Sequence, residues 1–210
     1  MPNGPRFITL EGGEGAGKST QGARLKATLE ARGLSVCLTR EPGGSPGAEE
    51  IRNLLVRGEP GRWDALTETL LLFAARADHL AHTIRPALRA GKWVVCDRFS
   101  DSTYAYQGAA RGLDENAICA IDSAATQCFR PDLTIILDVP VEQGLFRAAA
   151  RGTQEARFEN FDCQFHKRLA NYFRRLAARE PDRCVLVDGT GSPDAVAQAI
   201  SDEVSKRFSF

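Results

Sequence analysis

The chain has 210 residues, 27 Lys+Arg against 27 Asp+Glu, and a formal net charge of zero. That length suits one α/β domain, and the balanced charge excludes a general nucleic-acid or anionic-membrane binder, which carries a basic excess. No run of 18 apolar residues is present, so no membrane-spanning helix is expected.

The polar stretch Met1–Arg6 is too short to read as a signal peptide. Phe7–Leu10 reads as a buried strand, and Gln21–Arg32 as a helix with Leu25 and Leu29 on one face. Between them lies Gly12-Gly13-Glu14-Gly15-Ala16-Gly17-Lys18-Ser19, a G-x-x-x-x-G-K-[ST] phosphate-binding loop followed by Thr20. Four constrained positions match by accident in about one chain in a hundred of this length. The strand before and the helix after make accident rarer still. Glycines let backbone N–H groups wrap a phosphate, and the helix start adds positive potential. Lys18 is expected at the β- and γ-phosphates of a nucleotide, and the Ser19 hydroxyl on Mg²⁺.

Gly33 reads as a helix cap, and Ser35–Thr39 as a second strand. Ala48–Arg57 is a short helix. Asp64 caps a long one running towards Ala90, where Pro86 should kink it or mark a second segment and Gly91 end it. Trp93–Cys96 is a third strand, buried on both faces, leading into Asp97-Arg98-Phe99 and a polar, aromatic stretch from Ser102 to Gly108. Leu113–Thr126 is helical, Leu133–Asp138 a fourth strand, Val141–Arg151 and Phe158–Ala178 helices, and Cys184–Val187 a fifth strand. Ser192 and Pro193 open the last helix. Alternating strands and helices imply a five-stranded parallel sheet flanked by helices, in one domain spanning residues 1–210. Ligands then bind at the carboxyl ends of the strands, where Gly12, Arg40, Asp97 and Asp138 fall. None of the six cysteines forms a C-x-x-C pair. Cys37, Cys96 and Cys184 lie in or beside apolar strand-like runs, which suits a reduced, cytoplasmic protein.

The loop alone gives nucleotide binding and no reaction. A guanine-reading N-K-x-D is absent, and large motor or transport ATPases need more chain, so a small phosphotransferase fits best. Asp97, after the third strand, suits an acid that holds Mg²⁺ directly or through water. A buried ion pair with Arg98 is the structural alternative.

Several stretches together resemble the bacterial thymidylate kinase family: Thr9 to Thr20, Thr39-Arg40-Glu41-Pro42-Gly43-Gly44, Phe73-Ala74-Ala75-Arg76, Asp97-Arg98-Phe99, Thr103 to Gly108, and Arg111-Gly112. The resemblance implies a P-loop nucleoside monophosphate kinase fold with a short lid at about residues 147–160. It also implies transfer of the γ-phosphoryl of ATP to dTMP with Mg²⁺, and a homodimer. By the same resemblance Arg40 and Arg98 hold the dTMP phosphate, with Arg52 assisting. Phe73 stacks on thymine, Arg76 meets its O4, and Thr103 and Gln107 read its polar edge. Tyr106 excludes a ribose 2′-hydroxyl, and Glu14 positions the deoxyribose 3′-hydroxyl and the phosphate-binding arginine. Ordinary helix core remains the alternative for Phe73, beside Leu70, Leu71 and Leu72. The loop's variable positions, Gly13 to Ala16, hold no arginine. That resembles the subgroup whose catalytic arginine comes from the lid, with Arg151 favoured, then Arg157, from a group that includes Arg147. The acceptor's own phosphate oxygen is the nucleophile, so His79, His82 and His166 are read as surface or helix-packing residues. Another small nucleotide or nucleoside kinase, or a non-catalytic ATP-binding module, are the competing readings.

Overall fold

A computed structural model describes residues 4–59, 61–150, 157–159 and 161–209. Arg151 and half of the expected lid lie outside the described residues.

Five parallel strands, β1 (Phe7–Gly12), β2 (Val36–Arg40), β3 (Trp93–Asp97), β4 (Leu133–Asp138) and β5 (Cys184–Asp188), lie in the order β2-β3-β1-β4-β5. The chain leaves β1 to one side for β2 and β3, then crosses back for β4 and β5. The crevice beyond the carboxyl end of β1 is therefore the topological switch point. Register carries the expected residues there, with Arg40 opposite Asp97 and Asp97 opposite Leu10. Gly12 lies opposite Leu137 on the other side.

Both faces of the sheet are covered, which accounts for the near-continuous apolar strands. On one face Ile8, Leu10, Val95 and Ile135 meet Leu25 and Leu29 of α1 (Lys18–Ala31) and Ile200 and Val204 of α9 (Pro193–Phe208). On the other, Ile136 meets Phe165, Leu169, Phe173 and Leu176 of α8 (Cys163–Arg179), while Phe7, Val94 and Cys96 pack on Phe99, Leu80 and Ile84. Asp64, Asp114, Asp162 and Ser192 each accept a backbone N–H at a helix start. Asp162 thus starts α8 at Cys163, five residues later than the sequence pattern suggests. Gly33 ends α1 at φ +82°, with Leu34 N–H on the Leu29 carbonyl and Gly33 N–H on that of Glu30.

The remaining helices are α2 (Pro46–Leu55), α3 (Ala65–His79), α4 (Arg85–Arg89), α5 (Ser100–Thr103), α6 (Glu115–Thr126) and α7 (Val141–Ala149). Between α3 and α4 the chain widens into a π-helical turn, Leu80–Ile84, where Arg85 N–H reaches the Leu80 carbonyl. Pro86 has no N–H to donate to the carbonyl of His82, and it stands in the first turn of a second segment, α4, one of the two outcomes expected of it. A second π-helical segment, Tyr104–Ala110, continues α5. The polar, aromatic stretch that fitted no element in the sequence is therefore a helical wall. Among the described residues no helix is long and apolar enough to cross a membrane. All six cysteines are free thiols. Cys96 and Cys184 are buried and Cys37 half-buried, but Cys119, Cys128 and Cys163 are exposed.

Candidate active site

A cavity of about 330 Å³ opens at the switch point. Glu14 to Thr20, Arg40, Arg52, Arg76, Asp97, Arg98, Thr103, Tyr106 and Gln107 all line it, so the topology brings together most of the residues expected from sequence. Gly12 and Gly13 do not line it; their carbonyls accept from Lys18 Nζ at 3.1 and 2.7 Å. The loop packs closely against α7. A Cβ added to Gly144 would come within 2.5 Å of the Glu14 carbonyl oxygen, and one added to Gly12 within 2.6 Å of that of Leu137.

Lys18 is buried, and burial pushes its ammonium down to about 8 from 10.5. The nearby Arg98 guanidinium adds to this, while Glu14 and Asp97 oppose it. Beside it the first-turn N–H groups of α1 have no carbonyl within the helix to bond. Cation, helix start and glycines make an anion site of the kind a triphosphate fills. Ser19 Oγ donates to Asp97 Oδ2 at 2.5 Å. These two hard oxygen donors on the cavity wall fit Mg²⁺, which keeps waters and substrate phosphates as its other ligands. Among the described residues no cluster of three or more His, Cys, Asp or Glu could hold a metal alone.

Glu14 accepts from Arg98 Nη2 at 2.9 Å and from the Tyr106 hydroxyl at 2.7 Å. Burial works against its charge, but Arg98 and Lys18 outweigh burial and hold the carboxyl at about 2. Arg98 also donates to the Gly12 carbonyl and to Ser102 Oγ, both at 3.2 Å. Arg40 is half-exposed, paired with Glu49 at 3.1 Å, and Arg52 Nη1 donates to the Pro42 carbonyl at 2.6 Å.

The inner wall is built on acids that the sequence reading did not single out. Glu41 accepts from Arg76 Nε at 2.7 Å and bonds His79 Nδ1 at 3.0 Å, and His79 Nε2 meets Thr39 Oγ1 at 2.7 Å. His79 is thus a buried packing residue. Arg76 Nη2 donates to the Phe99 carbonyl and to Thr103 Oγ1. Its Nη1 is buried without a partner among the described residues. Gln107 Nε2 donates to Glu68 Oε1 at 2.8 Å, and its Oε1 is likewise buried and unpartnered. Glu11, completely buried in β1, accepts from Phe99 N–H and Ser102 Oγ, and burial, with Asp101 nearby, raises its carboxyl to about 7.

Three expectations change. Phe73 does not line the cavity. It is 1% exposed, and the Arg76 guanidinium lies 4.5 Å from its ring centre, so the helix-core alternative describes it. Leu72 lines the cavity instead, because residues four apart share a helix face and Leu72 falls in line with Arg76. Arg157, the second candidate for the lid cation, is 1% exposed and does not reach the cavity. It pairs with buried Glu68 and donates to the Leu55 and Glu59 carbonyls. Asp138, at the end of β4, is taken by Arg174 at 3.0 Å and does not line the crevice. The missed residues had one sequence signal. Glu68, Leu72, Arg76 and His79 recur at helical spacing, which places an acid on a buried face.

Comparison with known proteins agrees with this geometry. Residues 10–200 match the family model described as thymidylate kinase. The thymidylate kinase of Rhizorhabdus wittichii is 53% identical over 201 residues, covering 95% of this chain and 97% of that protein. That of Caulobacter vibrioides is 54% identical, covering 96% and 97%. The crystal structure of thymidylate kinase from Ehrlichia chaffeensis superposes with a TM-score of 0.78 at 34% identity, covering 96% of this chain and 99% of that one. The chain accordingly phosphorylates dTMP at the expense of ATP, and it belongs to the thymidylate kinase family.

Proposed function

We propose that the cavity holds ATP over the loop and dTMP against the inner wall, and that named side chains divide the transfer between them. One observation supports the acceptor assignment above others. Two buried atoms without a partner among the described residues belong to one wall, a donor (Arg76 Nη1) and an acceptor (Gln107 Oε1). Thymine offers the complement along one edge, O4 as acceptor and N3–H as donor. An unmade buried hydrogen bond costs about 1–3 kcal/mol, so such a pair rewards that edge and penalises its inverse.

In this reading Leu72 packs on the base, and Tyr106, fixed by Glu14, closes the space beside the sugar. Arg98 and Arg40 bind the dTMP phosphate, with Arg52 beside them, and aim one of its oxygens at the γ-phosphorus. No base is needed, since that oxygen is already ionised near neutral pH, and the residues contribute position and charge. Lys18 holds the β- and γ-phosphates. Ser19 and Asp97 would hold Mg²⁺, which supplies charge neutralisation across the phosphates when bound. Arg151 is assigned as the lid cation, because Arg157 is committed to Glu68. We assign the chain to the lid-arginine subgroup because Gly13, Glu14, Gly15 and Ala16 offer no cation. A homodimer and a cytoplasmic location complete the reading. Leu66 and Leu70, one turn apart on α3, are both about half exposed, which supports the first. Six unpaired thiols support the second.

A coupled ADP-release assay with ATP, Mg²⁺ and a panel of monophosphates tests the acceptor assignment. We expect dTMP to exceed UMP and dCMP in kcat/KM by at least about tenfold. Comparable turnover of UMP or dCMP contradicts it. Leu72→Ala should raise the KM for dTMP by roughly tenfold. Phe73→Ala should instead cost about 3–5 kcal/mol in denaturant unfolding. A larger KM effect at Phe73 than at Leu72 reverses the assignment. With its pKa at about 8 in the free enzyme, Lys18 loses its charge as pH rises through 8. ATP affinity should therefore fall roughly fivefold between pH 8 and 9 in a binding titration. An affinity flat from pH 7 to 9.5 contradicts the role given to Lys18.

A further inference from the structure

Glu68 lies on the inner face of α3 and is completely buried. Gln107 Nε2 and Arg111 Nη1 converge on its Oε1 at 2.8 and 2.7 Å, and Arg157 pairs with its Oε2. The two arginines are themselves anchored. Arg111 Nη2 donates to the Trp63 carbonyl at 2.6 Å, and Arg157 Nη1 to that of Leu55 at 3.0 Å. The carboxylate is therefore pinned from two other directions and has little freedom to follow Gln107.

A carboxylate only accepts, whereas a side-chain amide has a donating end and an accepting end of nearly the same shape. Turning the Gln107 amide over would set its oxygen against a carboxylate oxygen at hydrogen-bond distance, with no proton between them. The nitrogen must face Glu68, and the oxygen is the atom left over. That oxygen is buried without a partner among the described residues, on a residue that lines the cavity. Without Glu68 the two amide orientations would differ little in energy, and Gln107 could donate to a ligand as readily as accept from it.

We propose that Glu68 is a specificity-determining positioning residue. By accepting from Gln107 Nε2 it locks the orientation that presents Oε1 to the acceptor base, and so favours a pyrimidine with a donor at N3 over one with a lone pair there. The proposal rests on the reading that Gln107 faces N3 of the base.

The test compares kcat and KM for dTMP and dCMP in the full-length enzyme, its E68Q and E68D variants, and Q107L as reference. Glutamine at 68 can donate as well as accept, so Gln107 is free to turn round. E68Q should lower the dTMP:dCMP ratio of kcat/KM by about tenfold, mainly through KM, towards the ratio of Q107L. E68D keeps the charge facing Arg111 and Arg157 but withdraws the oxygen from Gln107. It should narrow the ratio in the same direction, and it carries the test if E68Q does not fold. Equal losses on both substrates, leaving the ratio within about twofold of wild type in the folded variants, mean a structural role and overturn the proposal. A separate arm offers the wild-type enzyme dTMP methylated at N3. Rejection by about tenfold or more supports the reading of Gln107 that the proposal needs. Turnover close to that of dTMP removes that reading and the proposal with it.

Discussion

The site depends on one ion pair, Glu14 with Arg98. A carboxylate inside a phosphate-binding loop repels the ligand the loop exists to hold, unless its charge is spent elsewhere. Here Arg98 and the Tyr106 hydroxyl absorb it, and the acid remains ionised down to about pH 2. Arg98 reaches it from a left-handed backbone, φ +73°, a conformation that costs a residue with a Cβ roughly 1–2 kcal/mol. Neighbouring hydrogen bonds hold it there: Arg98 N–H on the Leu10 carbonyl at 2.9 Å, and Phe99 N–H on Glu11 at 2.8 Å. The loop is thereby tied at one point to the end of β3 and to the π-helical wall, 84 and 92 positions further along the chain.

That tie divides the cavity. On one side lie Lys18, the start of α1, and the Ser19–Asp97 oxygens, all suited to a triphosphate and its metal. On the other, Glu41 clamps Arg76, Glu68 clamps Gln107, and each leaves one polar atom without a partner among the described residues. The buried acids work by the same logic. Each is costly to bury alone, each is matched by arginine or amide donors, and each fixes the direction in which its partner's remaining atoms point.

The sheet and the donor side were legible in the sequence because their signals are local. Apolar runs, the loop motif and capping residues such as Asp64 and Ser192 each act within a few positions. Phe73 was misjudged because an aromatic beside three leucines looks the same whether it faces a ligand or the core. Only the packing of α3 shows that Leu72 is the residue in line with Arg76. Arg157 was misjudged for a related reason. A basic residue near an expected lid reads as solvated or catalytic, and its partner Glu68 lies 89 positions earlier, on another helix. Glu41 stood in a recognised motif without an assigned task, since its partners are brought to it by tertiary structure alone. The stretch from Ser102 to Gly108 resisted assignment because its π-helical turn breaks the 3.6-residue period that sequence patterns detect.

The central claim is that Glu14, although within the donor loop, serves the acceptor through Arg98. Glu14→Gln removes the charge at nearly constant shape, and binding of each substrate can be measured separately on the variant. dTMP affinity should fall by about tenfold or more as Arg98 loses its anchor, while ATP affinity is unchanged or improved. Weakened ATP binding with dTMP affinity intact would contradict it.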